Sequence, residues 1–230
     1  MSGEAQKPSF VVVATGLRAE ARIAARVPQV KAVAGGANGR RLAQLVRQEI
    51  SQGAKAVISF GIAAGLAPGR GSGNCLVGSE IVHGDRRYPT DQTWASRLHS
   101  TLRAELATVA GVDRPLQSPA EKQALFAETH AVAADMESHV AARLAAERGL
   151  PFAVLRVIAD SAAREIPPAA LAGMSKDGRI DVLAVLVALR RAPGQLPALV
   201  GLAADTRRAM AELFRCHRLV GPGFGFFDLG

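Results

Sequence analysis

Residues 134–162 read ADMESHVAARLAAERGLPFAVLRVIADSA, and the architecture turns on them. Phe152 to Ala159 (FAVLRVIA) is an apolar run rich in branched side chains, the pattern of a strand covered on both faces. Glu137 to Arg148 carries apolar residues at helical spacing and stops at Gly149 and Pro151, so a helix is predicted there. Ala131 to Met136 (AVAADM) reads as a short strand before it. Each strand ends in acid, at Asp135-Met136-Glu137 and at Asp160. Sites in α/β folds lie at the carboxyl ends of strands, so these acids are the first candidates for chemistry.

The same rhythm continues outward. Phe10 to Ala14 (FVVVA) reads as a buried strand, Leu17 to Val27 as a helix and Val30 to Ala34 as a second strand. After the loop GGANG, Arg40 to Gln52 is apolar at Leu42, Leu45, Val46 and Ile50 with helical spacing. Lys55 to Phe60 (KAVISF) returns as strand and leads into the turn GIAAGLAPG. Cys75 to His83 alternates like a strand, and Thr93 to Ala110 reads as one helix. Beyond Pro167-Pro168, helices are predicted at Ile180 to Arg190 and Leu196 to Phe214. The sum is one α/β domain over residues 1–230, a three-layer α/β/α sandwich with a central mixed sheet flanked by helices.

With 49% hydrophobic and 21% charged residues, the composition excludes wholesale disorder. The opening MSGEAQKPS has no apolar segment of a secretory signal, so a cytoplasmic location is expected. The uncharged stretch Ala192 to Ala204 is interrupted by Pro193, Gly194 and Pro197 and is too short to span a bilayer. Cys75 and Cys216 lie far apart and fit no ligand spacing, which predicts two reduced structural thiols and no metal site. A net charge of +8 attracts anions in general, but one Trp and one Tyr make a poor stacking platform, so nucleic acid is not an expected partner.

Three segments in order resemble the purine nucleoside phosphorylase and methylthioadenosine/S-adenosylhomocysteine nucleosidase superfamily. They are VATGLRAEA at Val13 to Ala21, SFGIAAGLAPG at Ser59 to Gly69, and the Met136-Glu137 and Ala159-Asp160 pairs, so the likeness spans roughly the first 165 residues. It implies cleavage of a purine N-glycosidic bond by a homo-oligomer with no cofactor, inorganic phosphate being a co-substrate in one branch. The resemblance puts Asp160 where the family's acid meets purine N7, Glu137 on the ribose 2′ and 3′ hydroxyls, and Met136 against the ribose face. Glu20 matches the glutamate that activates water in the nucleosidases. The phosphorylase alternative puts phosphate near Arg18, with Gly16 and Gly61 beside it, and the nucleophile stays open between the two.

The chemistry explains these residue types. Breaking the bond leaves positive charge on the sugar and negative charge on the base, so an acid must meet the purine while the ribose is held. An acid needs a carboxyl whose pKa burial has raised. The same residues admit plainer readings: Asp160 as a helix N-cap, Glu137 as an acid favouring a helix N-terminus, Met136 as core, and Glu20 on an exposed salt-bridge face with Arg18 and Arg22. The turn GGANGRR at Gly35 to Arg41 reads either as an anion cradle or as a simple tight turn.

Ile62 and Ala64 stand where methylthioadenosine nucleosidases commonly carry Ser and Gly, a departure beside the nucleophile. With SPAEKQALF at Ser118 to Phe126, the whole pattern most resembles the bacterial hopanoid-associated phosphorylase group. That implies a lipid-linked nucleoside, adenosylhopane, losing adenine, and peripheral contact with the inner membrane. Val182, Leu183, Leu186, Val187, Leu196, Leu199, Val200 and Leu202 supply apolar surface for such a groove, or for core and subunit contacts. The closing GPGFGFFDLG either lines that groove or forms a tail. The rivals are a methylthioadenosine/S-adenosylhomocysteine nucleosidase and a non-catalytic nucleotide-binding module. A Rossmann-like dinucleotide module is disfavoured because no GxGxxG follows the first strand.

Overall fold

The computed structural model describes residues 9–27, 29–173, 175 and 177–228. The elements run β1 (Val11–Thr15), α1 (Arg18–Ala24), β2 (Val30–Ala34), α2 (Gly39–Ser51), β3 (Ala56–Gly65), β4 (Cys75–His83), β5 (Arg86–Pro89), α3 (Gln92–Leu102) and β6 (Glu105–Gly111). They continue with α4 (Pro119–Thr129), β7 (Ala133–Asp135), α5 (Ser138–Ala146), β8 (Phe152–Asp160), α6 (Pro168–Ala172), α7 (Val182–Arg191) and α8 (Leu196–Val220).

The eight strands form one mixed sheet. β1 lies parallel between β2 and β3, and β3 continues parallel to β8. β8 pairs antiparallel with β4, β4 parallel with β6, β6 parallel with β7, and β7 returns antiparallel to the end of β3. Those five strands therefore close on themselves, while β2 and β5 hang at the margins. The long β3, ten residues, crosses the closure and bulges between Ala63 and Ala64.

Helices cover both faces. Val11 and Val13 point into the layer of α1, α3 and α8, with Phe60, Trp94, Leu98 and Leu213. Phe10, Val12 and Ala14 point into the layer of α2 and α5, with Leu42, Val46, Val140 and Leu144. Burial on both sides is why FVVVA is apolar throughout instead of alternating.

The helix expected over Thr93 to Ala110 is in fact a helix and a strand. Arg103 adopts a left-handed conformation, φ 51°, and ends α3, after which Ala104 bonds back to His99. ELATVAG then pairs with β4, where Thr108 and Val109 suit a pleat better than a helix. The hairpin strand β5 and the helix α4 were not foreseen. α4 nevertheless carries a helix-start signal, since Ser118 and Glu121 form a reciprocal capping box around Pro119.

Among the described residues, the closing segment 221–228 does not line the large apolar cavity. Trp94 donates to the Phe224 carbonyl at 2.8 Å, and Phe224 is buried edge-on against Phe60. The two cysteines, distant in sequence, meet in the α3/α8 layer, where the Cys216 thiol donates to Cys75 Sγ at 3.2 Å and both are free. Among the described residues no single helix is long and apolar enough to cross a membrane.

Candidate active site

The carboxyl ends of β1, β3, β7 and β8 meet at one cavity of about 390 Å³. Glu20 enters it from the first turn of α1. Its Oε2 accepts from the backbone N–H groups of Gly16 (3.0 Å) and Leu17 (2.7 Å), and Oε1 accepts from Ile62 N–H at 2.9 Å. One carboxylate thus ties the loop after β1 to the middle of β3. Glu20 is buried and faces neither Arg18 nor Arg22, so the exposed salt-bridge reading does not describe it.

Beneath Glu20 lies Arg156 of β8, fully buried, a residue that sequence reasoning passed over. Its Nη2 donates to Ser59 Oγ at 2.6 Å and lies 3.5 Å from Glu137 Oε2, and its Nε is 3.0 Å from Asp135 Oδ2. Asp135 in turn caps the start of α5: Oδ1 accepts from the N–H groups of Glu137 (2.8 Å) and Ser138 (2.7 Å). A lone arginine in an otherwise apolar strand was the available signal, because a buried guanidinium requires partners.

The electrostatics follow from counting. One guanidinium faces three buried carboxyl groups, Glu20, Asp135 and Glu137, so full ionisation would leave uncompensated negative charge. Burial pushes Glu137 up to about 8 against the pull of Arg156, with Asp135 and Glu20 adding to the rise. Burial also raises Glu20, opposed by Arg156 and by its backbone donors. The two glycines make room for this cluster. A Cβ at Gly16 would stand 2.6 Å from Glu137 Oε1, and one at Gly61 would stand 2.6 Å from both Arg156 Nη1 and Glu20 Oε1.

Asp160 closes β8 at the cavity's other side. A turn follows it, and the next helix, α6, starts only at Pro168, so its carboxyl caps no helix. Oδ2 meets Lys122 Nζ at 2.5 Å. Burial lifts the Asp160 pKa, and Lys122 opposes that rise. Met136 lines the cavity beside Glu137.

Arg18 is turned away. Its Nε donates to the Asp177 carbonyl at 3.0 Å and its Nη2 pairs with Asp177 Oδ2 at 2.8 Å. The GGANGRR turn is organised by Asn38, whose side chain accepts from Arg41 N–H at 3.0 Å and caps α2. Arg40 lines a second, more open concavity of about 940 Å³ together with Arg47, Arg86, Arg143, His83 and His139. The cavity of the carboxyl groups continues instead into apolar wall from Ile166, Leu171, Val185, Leu199 and Leu202.

A family model described as the phosphorylase superfamily matches residues 20–185, which include Glu20, Glu137, Arg156 and Asp160. The chain belongs to the phosphorylase superfamily. Membership makes it an enzyme of the nucleoside phosphorylase and nucleosidase kind, with the mixed α/β fold described above.

Among solved structures this superfamily member is similar to native futalosine hydrolase of Helicobacter pylori. The TM-score is 0.68 at 14% identity over 92% of this chain and 96% of that one. It is also similar to the 5′-methylthioadenosine/S-adenosylhomocysteine nucleosidase of Neisseria meningitidis in complex with methylthio-immucillin-A (TM-score 0.65, 15% identity, 91% and 97% covered). The Helicobacter pylori nucleosidase with butyl-thio-DADMe-Immucillin-A gives a TM-score of 0.64 at 15% identity, with 90% and 97% covered. No curated protein matches the chain.

Proposed function

We propose that the enzyme hydrolyses the N-glycosidic bond of a 5′-substituted adenosine, with adenosylhopane as its substrate and adenine as the released base. The observation that carries this reading is the shape of the cavity, acidic at one end and apolar along the other, opening toward α7 and α8. A nucleoside sits with its ribose and base at the carboxyl groups and its 5′ substituent along Ile166, Leu171, Val185, Leu199 and Leu202.

The residues divide the work. Asp160 protonates the purine as the bond lengthens, Glu137 accepts from the ribose 2′ and 3′ hydroxyls, and Met136 packs against the sugar. Glu20 takes the proton of the attacking water, a task suited to a buried carboxylate whose basicity desolvation raises above the ordinary carboxylate range. Water is preferred to phosphate because the nucleophile's place is bounded by Glu20, whereas Arg18 is engaged by Asp177. A phosphate dianion beside a buried carboxylate is repelled.

Beyond the cavity, Val182, Leu183, Leu186, Val187, Leu196 and Val200 stand exposed, Leu183 at 71%. Arg190 and Arg191 form the last turn of α7, so the helix is both apolar and cationic, as membrane-surface helices are. A substrate resident in a bilayer is drawn from there into the groove.

The experiment is adenine release from adenosylhopane in detergent, with and without phosphate, with methylthioadenosine as control. Release from the hopanoid at equal rates in both buffers is expected. A strict phosphate requirement overturns the assignment of water as nucleophile, and release from methylthioadenosine alone overturns the lipid substrate.

A further inference from the structure

Behind Asp160, outside the cavity lining, lies a lysine that no packing requirement explains. Lys122 is the fourth residue of α4, whose start is set by the capping box and Pro119, and its side chain is fully buried. Lysine is almost never so deeply buried without partners. Nζ donates to Asp160 Oδ2 at 2.5 Å, to the Ser161 carbonyl at 2.9 Å and to the Arg164 carbonyl at 2.8 Å. Three acceptors use all three N–H bonds of an ammonium, whereas a neutral amine has one too few. The geometry therefore calls for the charged form.

The contact is one-sided. Lys122 occupies Asp160 Oδ2, while among the described residues Oδ1 has no protein donor and Asp160 borders the cavity. Among the described residues, the other charged groups that act on Asp160 are Arg164, in the turn after β8, and Asp205 of α8. Those two pair with each other at 2.5 Å, which leaves Lys122 as the unshared charge on the carboxyl.

We propose that Lys122 is a positioning residue that makes Asp160 a stronger acid, holding Oδ2 so that Oδ1 faces the purine and stabilising the carboxylate that remains after proton transfer. This rests on Asp160 being the acid. In the step itself the O–H bond at Oδ1 breaks as the N7–H bond forms, the electron pair stays on the carboxylate, and the ammonium keeps its three protons. Burial alone makes a carboxyl a reluctant donor, because its anion is desolvated. An ammonium in contact offsets that penalty, and a proton-transfer catalyst works best with a pKa near the operating pH.

The test is the pH profile of kcat/KM for adenine release in wild type, Lys122→Met and Asp160→Asn. The alkaline limb reports loss of the Asp160 proton, so removing the ammonium moves it to higher pH by about one unit or more. At neutral pH, kcat for the adenine substrate falls about 10-fold or more. A 4-nitrophenyl riboside with the same 5′ substituent, whose leaving group departs unprotonated, is slowed far less. A merely structural role slows both substrates alike and leaves the limb in place, and that result overturns the proposal. Retained adenine release in Asp160→Asn instead overturns the acid assignment itself, so the two failures are separable. If Lys122→Met does not fold, NMR of the unsubstituted protein decides. The Asp160 carboxyl carbon, identified by its absence in Asp160→Asn, is expected to titrate with the alkaline limb while Lys122 Nζ stays an ammonium. A neutral Lys122 overturns the proposal.

Discussion

Two apolar segments of similar length meet opposite fates in this enzyme. β8, FAVLRVIAD, is buried at all nine positions, including Arg156 and Asp160. α7, VLAVLVALRR, is as apolar in its first eight residues and has no buried residue. β8 has a strand on each edge and helices on both faces, so every side chain is covered by protein. α7 touches the body of the protein mainly through α6 and the short turn Pro193–Gln195, and the chain bends by 120° between α7 and the helical segment that follows. The difference teaches that apolar character drives a segment out of water without naming what will cover it. For β8 the cover is the protein itself, and there the burial also raises carboxyl pKa values. α7 has no buried residue, and a lipid surface is the cover we propose for it.

The comparison is broken most forcefully at the end of β8. Asp160→Asn removes the proposed proton donor, and adenine release is expected to fall by about 10²–10⁴-fold. Activity within a factor of a few of wild type would move the chemistry away from β8. Next is packing: Leu155→Ala is expected to cost about 2–5 kcal/mol in denaturant unfolding, because its cavity is walled in on all sides. Leu183→Ala, on the exposed face of α7, should stay within about 0.5 kcal/mol.

A third contrast comes from pH. Glu20, Glu137 and Asp160 all titrate above their ordinary values because they are buried, so the native state keeps protons that the unfolded chain releases. Stability from these groups is complete below the ordinary carboxylate range. It declines as pH rises from about 4.5 through the raised values, about 8 for Glu137. Each retained proton contributes a slope of about 1.4 kcal/mol per pH unit. Thermal melts from pH 4 to 9 measure it, and Glu137→Gln should flatten the decline; an unchanged slope would mean that Glu137 is ionised throughout.

The smallest expected effect sharpens the α7 side. Leu183→Ser with Leu186→Ser should raise KM for vesicle-borne adenosylhopane about 10-fold, from the apolar area lost. Turnover of methylthioadenosine, stability and oligomeric state should be unchanged. A change of oligomeric state instead would make the α7 face a contact between copies of the chain.

Much of this was legible from residues alone, for identifiable reasons. Strands buried on two faces write themselves as continuous apolar runs, so FVVVA and FAVLRVIA fell on β1 and β8. The motif segments carry Glu20, Glu137 and Asp160, which the structure brings to one cavity, because each segment sits just beyond or at the end of a strand. The stretch from Thr93 to Ala110 misread as one helix because the left-handed turn at Arg103 leaves no Gly or Pro to mark it. Arg156 was hidden in the strand it occupies, and Lys122 in a helix that was not foreseen.

What the chain determined by itself is local and periodic: which runs pleat, which coil, and where acids stand at strand ends. Only the tertiary structure decided which charges meet. The closure of β3, β8, β4, β6 and β7 brings Arg156 under Glu20 and Glu137, residues more than a hundred positions apart at the extreme. The docking of α4 sets Lys122 on Asp160, 38 residues away. Coulomb and desolvation energies depend on distance through space and on the surrounding dielectric, and neither is written in the order of residues along the chain.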